Sequence, residues 1–141
     1  VVNVMPFGLT HYLIDTHIWS HLQRRTTKRL LERFAELEPG QTFLSPVVLG
    51  EMETGYLKGD RAPYRRAALD QIIGSCQMLT VNRQVAIDYA HLRAQLEQAG
   101  IPIGPNDTWI AAEALHHKLV LVTDNVREFS RVPALVVENW L

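Results

Sequence analysis

The chain has 141 residues, which suits one compact domain, and 47% of them are hydrophobic, an ordinary globular share. Its net charge is −1 at pH 7 and its pI about 6.6, so it lacks the overall basic field of many nucleic-acid binders. No apolar run approaches the roughly 20 residues that a membrane span requires; the longest, Leu119 to Val122, is of strand length.

Residues 1–10 read as a loose lead-in, with Pro6 and Gly8 opposing regular structure. They lack the basic start and sustained apolar core of a signal peptide, and a cytoplasmic location is expected. Leu9 to Asp15 is predicted as the first strand. A helix can start at Ile18 to Leu22, and one continues over Lys28 to Leu37, where Leu30, Leu31, Phe34 and Leu37 fall at helical spacing. Pro39-Gly40 ends it. Thr42 to Leu44 is a second strand. Ser45 then serves as an N-cap with Pro46 at the first helical position, where a missing N–H costs nothing. That helix extends to about Lys58, with Val48, Met52, Gly55 and Tyr56 on one face and Glu51 beside them.

Pro63 to Ile73 forms the next helix, with Ala67, Ala68 and Ile72 inward. Cys76 is the only cysteine, which excludes an intrachain disulfide and a cysteine zinc cluster; it reads as a small core residue. Met78 to Val81 is a third strand. Arg83 to Gln98 is a long helix built on Ile87, Ala90, Leu92 and Leu96 and ended by Gly100. A loop with two prolines leads to a helix capped by Asn106 or Asp107 and running to Lys118. Leu119 to Thr123 is the most apolar strand and is expected at the centre of the sheet. Val126 to Phe129 is a helical turn and Ala134 to Val137 the last strand. Strands alternating with helices predict a single α/β domain over residues 11–141, a parallel sheet covered on both faces.

In such a sheet all strands end at one edge, where open α/β folds place their ligands. Asp15 follows the first strand, Asp124 follows the fourth, and Glu51 lies in the second turn of the helix after the second strand. Topology steers these three to one edge. Asp107 joins them only if the loop from Gly100 to Pro105 returns there. Each has a simpler reading: Asp15 and Asp107 as helix caps, Asp124 as a turn former, Glu51 as a solvated helix residue. Clustered carboxylates raise one another's pKa unless a cation offsets them. An oxygen-only donor set favours Mg²⁺ or Mn²⁺ over zinc, and the chemistry such sites serve is phosphate-ester hydrolysis.

Other constellations carry less. His17 and His21 are spaced to share a helix face, but Ile18 stands where a zinc protease motif needs Glu. A haloacid-type phosphatase would want an aspartate at His17. Arg24, Arg25, Lys28, Arg29 and Arg33 form one basic cluster and Arg61, Arg65 and Arg66 another; such runs are usually solvated helix faces, with phosphate binding as the alternative.

Four segments in order resemble the PIN-domain family, and within it the VapC-type ribonuclease toxins of bacterial toxin–antitoxin pairs. They are Tyr12-Leu13-Ile14-Asp15-Thr16, Leu44 through Met52, Asn106 through Ala112, and Leu121-Val122-Thr123-Asp124-Asn125 followed by Phe129; the tail from Val132-Pro133 to Trp140 matches as well. The resemblance implies a three-layer α/β/α sandwich with a central parallel sheet. It implies an Mg²⁺- or Mn²⁺-dependent endoribonuclease whose catalytic and metal-holding acids are Asp15, Glu51, Asp107 and Asp124, supported by Thr16, Thr123 and Asn125. It further implies an RNA substrate, a homodimer and a cognate VapB-like antitoxin that blocks the acidic site, with DNA met only through the antitoxin. The alternative is an inactive binding partner inside a DNA-binding toxin–antitoxin complex. The chain departs from the family at His17, where many relatives carry Asn, and in its longer lead-in.

Overall fold

A computed structural model describes residues 8–141, so the lead-in at 1–10 lies largely outside the described residues. Within them the chain forms five strands and seven helices in the order β1 (Tyr12–Ile14), α1 (Thr16–Arg24), α2 (Lys28–Ala35), β2 (Thr42–Leu44), α3 (Pro46–Lys58), α4 (Pro63–Ser75), β3 (Gln77–Met78), α5 (Arg83–Gln98), α6 (Pro105–His116), β4 (Val120–Val122), α7 (Val126–Phe129) and β5 (Val137–Glu138). All strand pairs are parallel, in the order β3-β2-β1-β4-β5. The architecture is the three-layer α/β/α sandwich. No helix among the described residues is long and apolar enough to cross a membrane.

The sheet's centre is β1, and β4, expected there, is its neighbour. Both strands are buried on both faces, which explains why each reads as a continuous apolar run: Leu13, Ile14 and Leu121 are fully inaccessible. The chain builds β1, β2 and β3 outward in one direction, then crosses back to lay β4 on the other side of β1. The strand order therefore reverses between β1 and β4, and at such a reversal a crevice opens beyond the strands' carboxyl ends. Asp15 and Thr123 stand at that position.

Several element ends differ from the sequence reading. The first strand starts at Tyr12 rather than Leu9, and the third covers only Gln77–Met78. The last strand begins at Val137, and Ala134, expected in it, has φ +65°, a left-handed conformation outside the strand region. The first helical stretch is two helices: Arg25 closes α1 in the left-handed conformation (φ +52°), and Thr27 caps α2 through a bond from the Leu30 amide. Ser45 and Pro46 open α3 as the sequence indicates.

Neither Asn106 nor Asp107 caps α6. Gly104 holds that position without a side-chain bond and Pro105 is first in the helix, which leaves the Asp107 carboxylate free of any capping duty. The inner faces of α4 and α5 are also rotated from expectation. Leu69 and Ile72 are the buried residues of α4, not Ala67 or Ala68. In α5 they are Val85, Leu92 and Leu96, while Ile87 and Ala90 are exposed. Small apolar residues in an amphipathic pattern do not distinguish neighbouring faces; contact between α5 and α6 decides it.

Candidate active site

The acidic edge is assembled from three helix starts and the second turn of α3. Asp15 is the N-cap of α1, its Oδ1 accepting the Thr16 amide at 2.8 Å. Its Oδ2 accepts the Thr123 hydroxyl, also at 2.8 Å, so the end of β4 is tied to the end of β1. Thr16 donates its own hydroxyl to Glu51 Oε1 at 2.7 Å, which brings α3 to the same point. Asp107 lies in the first turn of α6 and Glu128 in the first turn of α7. A helix N-terminus carries partial positive charge, and that partly offsets this gathering of acids.

The pKa shifts of the acids follow from burial and from one another's charge. Burial pushes Asp15 above its ordinary value; the Thr123 and Thr16 bonds pull it back, the Glu51 charge raises it again, and His17 lowers it. Asp107 is pushed up to about 7, first by burial, then by a hydrogen bond with Glu128, then by the charges of Asp15, Glu128 and Glu51. The Glu51 charge thus acts on both Asp15 and Asp107, and the Asp15 charge on Asp107. The loop from Gly100 does return to the edge, held where Arg131 donates to the Pro102 carbonyl at 2.9 Å.

Asp124 is placed differently. It follows β4 at the same edge, but its carboxylate turns to the exposed His17 imidazole, 3.4 Å away, and is not among the charges acting on Asp107. Glu128, which the sequence reading did not name, is a further acid whose charge acts on Asp107. Asn125 aims it, donating from Nδ2 to Glu128 Oε2 at 2.7 Å, while the Asn125 amide bonds the Thr123 hydroxyl. The only sequence signal was the Asn-x-x-Glu spacing at the opening of a four-residue helix.

Among the described residues no three acid, imidazole or thiol side chains stand close enough to form a ready metal cage. The hydroxyls of Thr16 and Thr123 occupy oxygens of Glu51 and Asp15, and the carboxylates repel. The donor set nevertheless fits a hard divalent cation: all oxygen, partly buried, and with one acid pushed up to about 7 first by burial and then by its acidic neighbours. The two histidines weighed for zinc are separately engaged, His17 with Asp124 and His21 Nδ1 with the Thr26 hydroxyl at 2.8 Å.

Much of the basic charge is used internally. Arg29 donates to the carbonyls of Asn139 and Leu141; Arg33 pairs with Glu138 and lies 4.5 Å over the Trp140 ring. In the other cluster Arg66 grips Glu53 and Asp70, and Arg65 pairs with Asp60. Among the described residues Arg24 and Arg25 make no ion pair.

A PIN domain profile matches residues 12–135, nearly the whole described chain. The chain belongs to the PIN domain family. Its curated relatives include Ribonuclease VapC2 of Rickettsia felis, 31% identical over 130 residues that cover 92% of this chain and 97% of that protein. The tRNA(fMet)-specific endonuclease VapC of Salmonella typhimurium is 31% identical over 129 residues, covering 92% and 97%. Among solved structures, the VapBC2 complex of Rickettsia felis bound to a promoter DNA fragment contains a chain that superposes with a TM-score of 0.86 at 28% identity, covering 94% of this PIN domain and all of that chain. The DNA-bound VapBC of Salmonella typhimurium gives the same TM-score at 30% identity and the same coverage.

Proposed function

We propose that this PIN domain is a VapC-type endoribonuclease, the toxin of a toxin–antitoxin pair, cutting RNA at the acidic edge between β1 and β4. The observation that carries the reading is that Asp15, tied by the Thr123 hydroxyl to the end of β4, stands beside Thr16, whose hydroxyl holds Glu51, so that carboxylates from separate parts of the sequence come to one edge. The relatives named as ribonucleases agree with it.

Asp15, Glu51, Asp107 and Glu128 are the residues that would hold a divalent ion, Mg²⁺ or Mn²⁺. Such an ion supplies a bound water of lowered pKa and positive charge against the phosphate. Thr123 and Thr16 orient the Asp15 and Glu51 carboxylates by fixing one oxygen of each. Asp107, whose pKa is raised by burial and by the acids around it, would give up its proton on binding such an ion. Asp124 and His17 form the outer rim, where they meet RNA. Initiator tRNA is the first RNA to test, because one relative is named for it.

A VapB-like antitoxin is the inhibitory partner, a homodimer the assembly and the cytoplasm the location in this reading. The similar complexes solved on DNA favour a second role, autoregulation, in which DNA is reached through the antitoxin. The test is cleavage of structured RNA by purified protein with Mg²⁺ or Mn²⁺, with EDTA and Asp15→Asn as controls. Metal-dependent cleavage lost in Asp15→Asn is expected. Cleavage surviving either control sinks the mechanism, and a wild type that cleaves no RNA but binds antitoxin supports the inactive-partner alternative.

A further inference from the structure

Behind the acidic edge lies a second carboxyl that the ribonuclease reading does not use. Glu113 on α6 is fully buried, in a run where Ala111, Ala112 and Ala114 are also fully buried. Its Oε1 accepts the Ser45 hydroxyl at 2.8 Å, and its Oε2 has no partner. Ser45 is equally inaccessible. The direction of that bond is forced. The Ser45 oxygen already accepts the Val47 and Val48 amides at 3.0 and 3.4 Å as the cap of α3, so its one proton must go outward to an acceptor.

Burying an acid with an unpaired oxygen costs stability, and burial pushes Glu113 up to about 7, toward its neutral form. An apolar side chain would fill the same space at lower cost. What the acid adds is a directed link between two helices. Ser45 lies six residues before Glu51 on α3, and Glu113 lies six residues after Asp107 on α6. In each helix that spacing is about 9 Å of rise. The Ser45–Glu113 bond therefore ties α3 to α6 one level away from Glu51 and Asp107, whose like charges repel.

We propose that Glu113 is a positioning residue that, through Ser45, sets the separation of Glu51 from Asp107 and thereby the affinity of the acidic edge for a divalent ion; this rests on the ribonuclease reading. Removing the link leaves the four acids in place and loosens their spacing. The demand at this position is for a hydrogen-bond acceptor, not for charge.

The test measures Mn²⁺ binding by electron paramagnetic resonance, RNA cleavage and thermal unfolding for wild type, Ser45→Ala, Glu113→Leu, Glu113→Gln and Leu96→Ala. Leu96 is a buried α5 residue outside the site, included to report general destabilisation. Ser45→Ala and Glu113→Leu are expected to weaken Mn²⁺ about tenfold or more, as loss of a ligand-orienting contact does, and to lower kcat with little change in KM for RNA. Glu113→Gln, whose amide oxygen still accepts from Ser45, should bind Mn²⁺ within about threefold of wild type. Leu96→Ala should melt earlier yet bind Mn²⁺ normally. If Glu113→Leu does not fold, Glu113→Met decides, since it keeps the side chain's length, removes the acceptor and leaves the Ser45 cap of α3 in place. Unchanged Mn²⁺ affinity in Ser45→Ala, or Glu113→Gln as weak as Glu113→Leu, overturns the positioning role while wild-type cleavage leaves the nuclease reading standing. A wild type that neither binds Mn²⁺ nor cleaves RNA overturns both.

Discussion

Thr123, one residue past β4, donates its hydroxyl to Oδ2 of Asp15, one residue past β1, across 2.8 Å. Both are buried. The bond joins the two strands at the point where the sheet order reverses, and it opposes the burial that pushes the Asp15 pKa up. Thr123→Val keeps the shape and leaves a buried carboxylate oxygen unsatisfied, a loss of about 1–3 kcal/mol. Urea unfolding should show that loss, and the acid limb of the cleavage–pH profile should move to higher pH. A profile that moves to lower pH would contradict the assignment.

The pH response of Asp107 has a definite sign. Its folded pKa is raised from 3.8 to about 7, so the folded chain keeps a proton that the unfolded chain has lost. That contribution is complete below the unfolded value and disappears as pH rises through about 7. Asp107→Asn cannot ionise. In EDTA at pH 8 it should be more stable than wild type by on the order of 1–2 kcal/mol, after discounting for solvent screening at this half-buried group. The advantage should vanish near pH 4, and the variant should be inactive at both. Thermal melts across pH check this, and adding Mg²⁺ should raise the wild-type Tm more than the variant's.

Glu128 and Asp124 separate the inner cluster from its rim. Glu128 is among the acids that raise the Asp107 pKa, whereas Asp124 faces the solvent-exposed His17. Glu128→Gln is expected to cut kcat/KM by about two orders of magnitude or more, a loss of about 3 kcal/mol in transition-state stabilisation. Asp124→Asn is expected to cost less than about tenfold, as fits an exposed pair. Single-turnover cleavage under saturating Mn²⁺ measures both; the reverse ranking would place the ion nearer β4.

Arg25 ends α1 with φ +52°, a conformation that costs an L residue about 1 kcal/mol and glycine almost nothing. Its amide already closes the helix on the carbonyls of His21 and Leu22. Arg25→Gly should therefore raise the urea midpoint, a gain of about 0.5–1 kcal/mol. A fall in stability would mean that the guanidinium does more for the fold than its exposed position indicates.

The residues themselves determined a good deal. Alternating apolar runs and amphipathic stretches dictate a parallel α/β order, because each pattern records which faces of one element are buried. Ser45-Pro46 announces the start of α3, since capping and a fixed φ are local chemistry. The positions of Asp15 and Glu51 at the edge follow from local order, because a parallel sheet ends its strands and starts its following helices there; that of Asp107 depends on the return of the Gly100–Pro105 loop. Tertiary structure alone decided what depends on neighbours distant in the chain. It made β1 the central strand, because strand order follows from pairing and not from hydrophobicity. It turned Asp124 outward and brought in Glu128, because Asn125 and the short α7 aim one carboxylate at Asp107 and leave the other to His17. It also hid Glu113, which in sequence is one acid among alanines; only the packing of α6 on α3 buries it against the Ser45 hydroxyl.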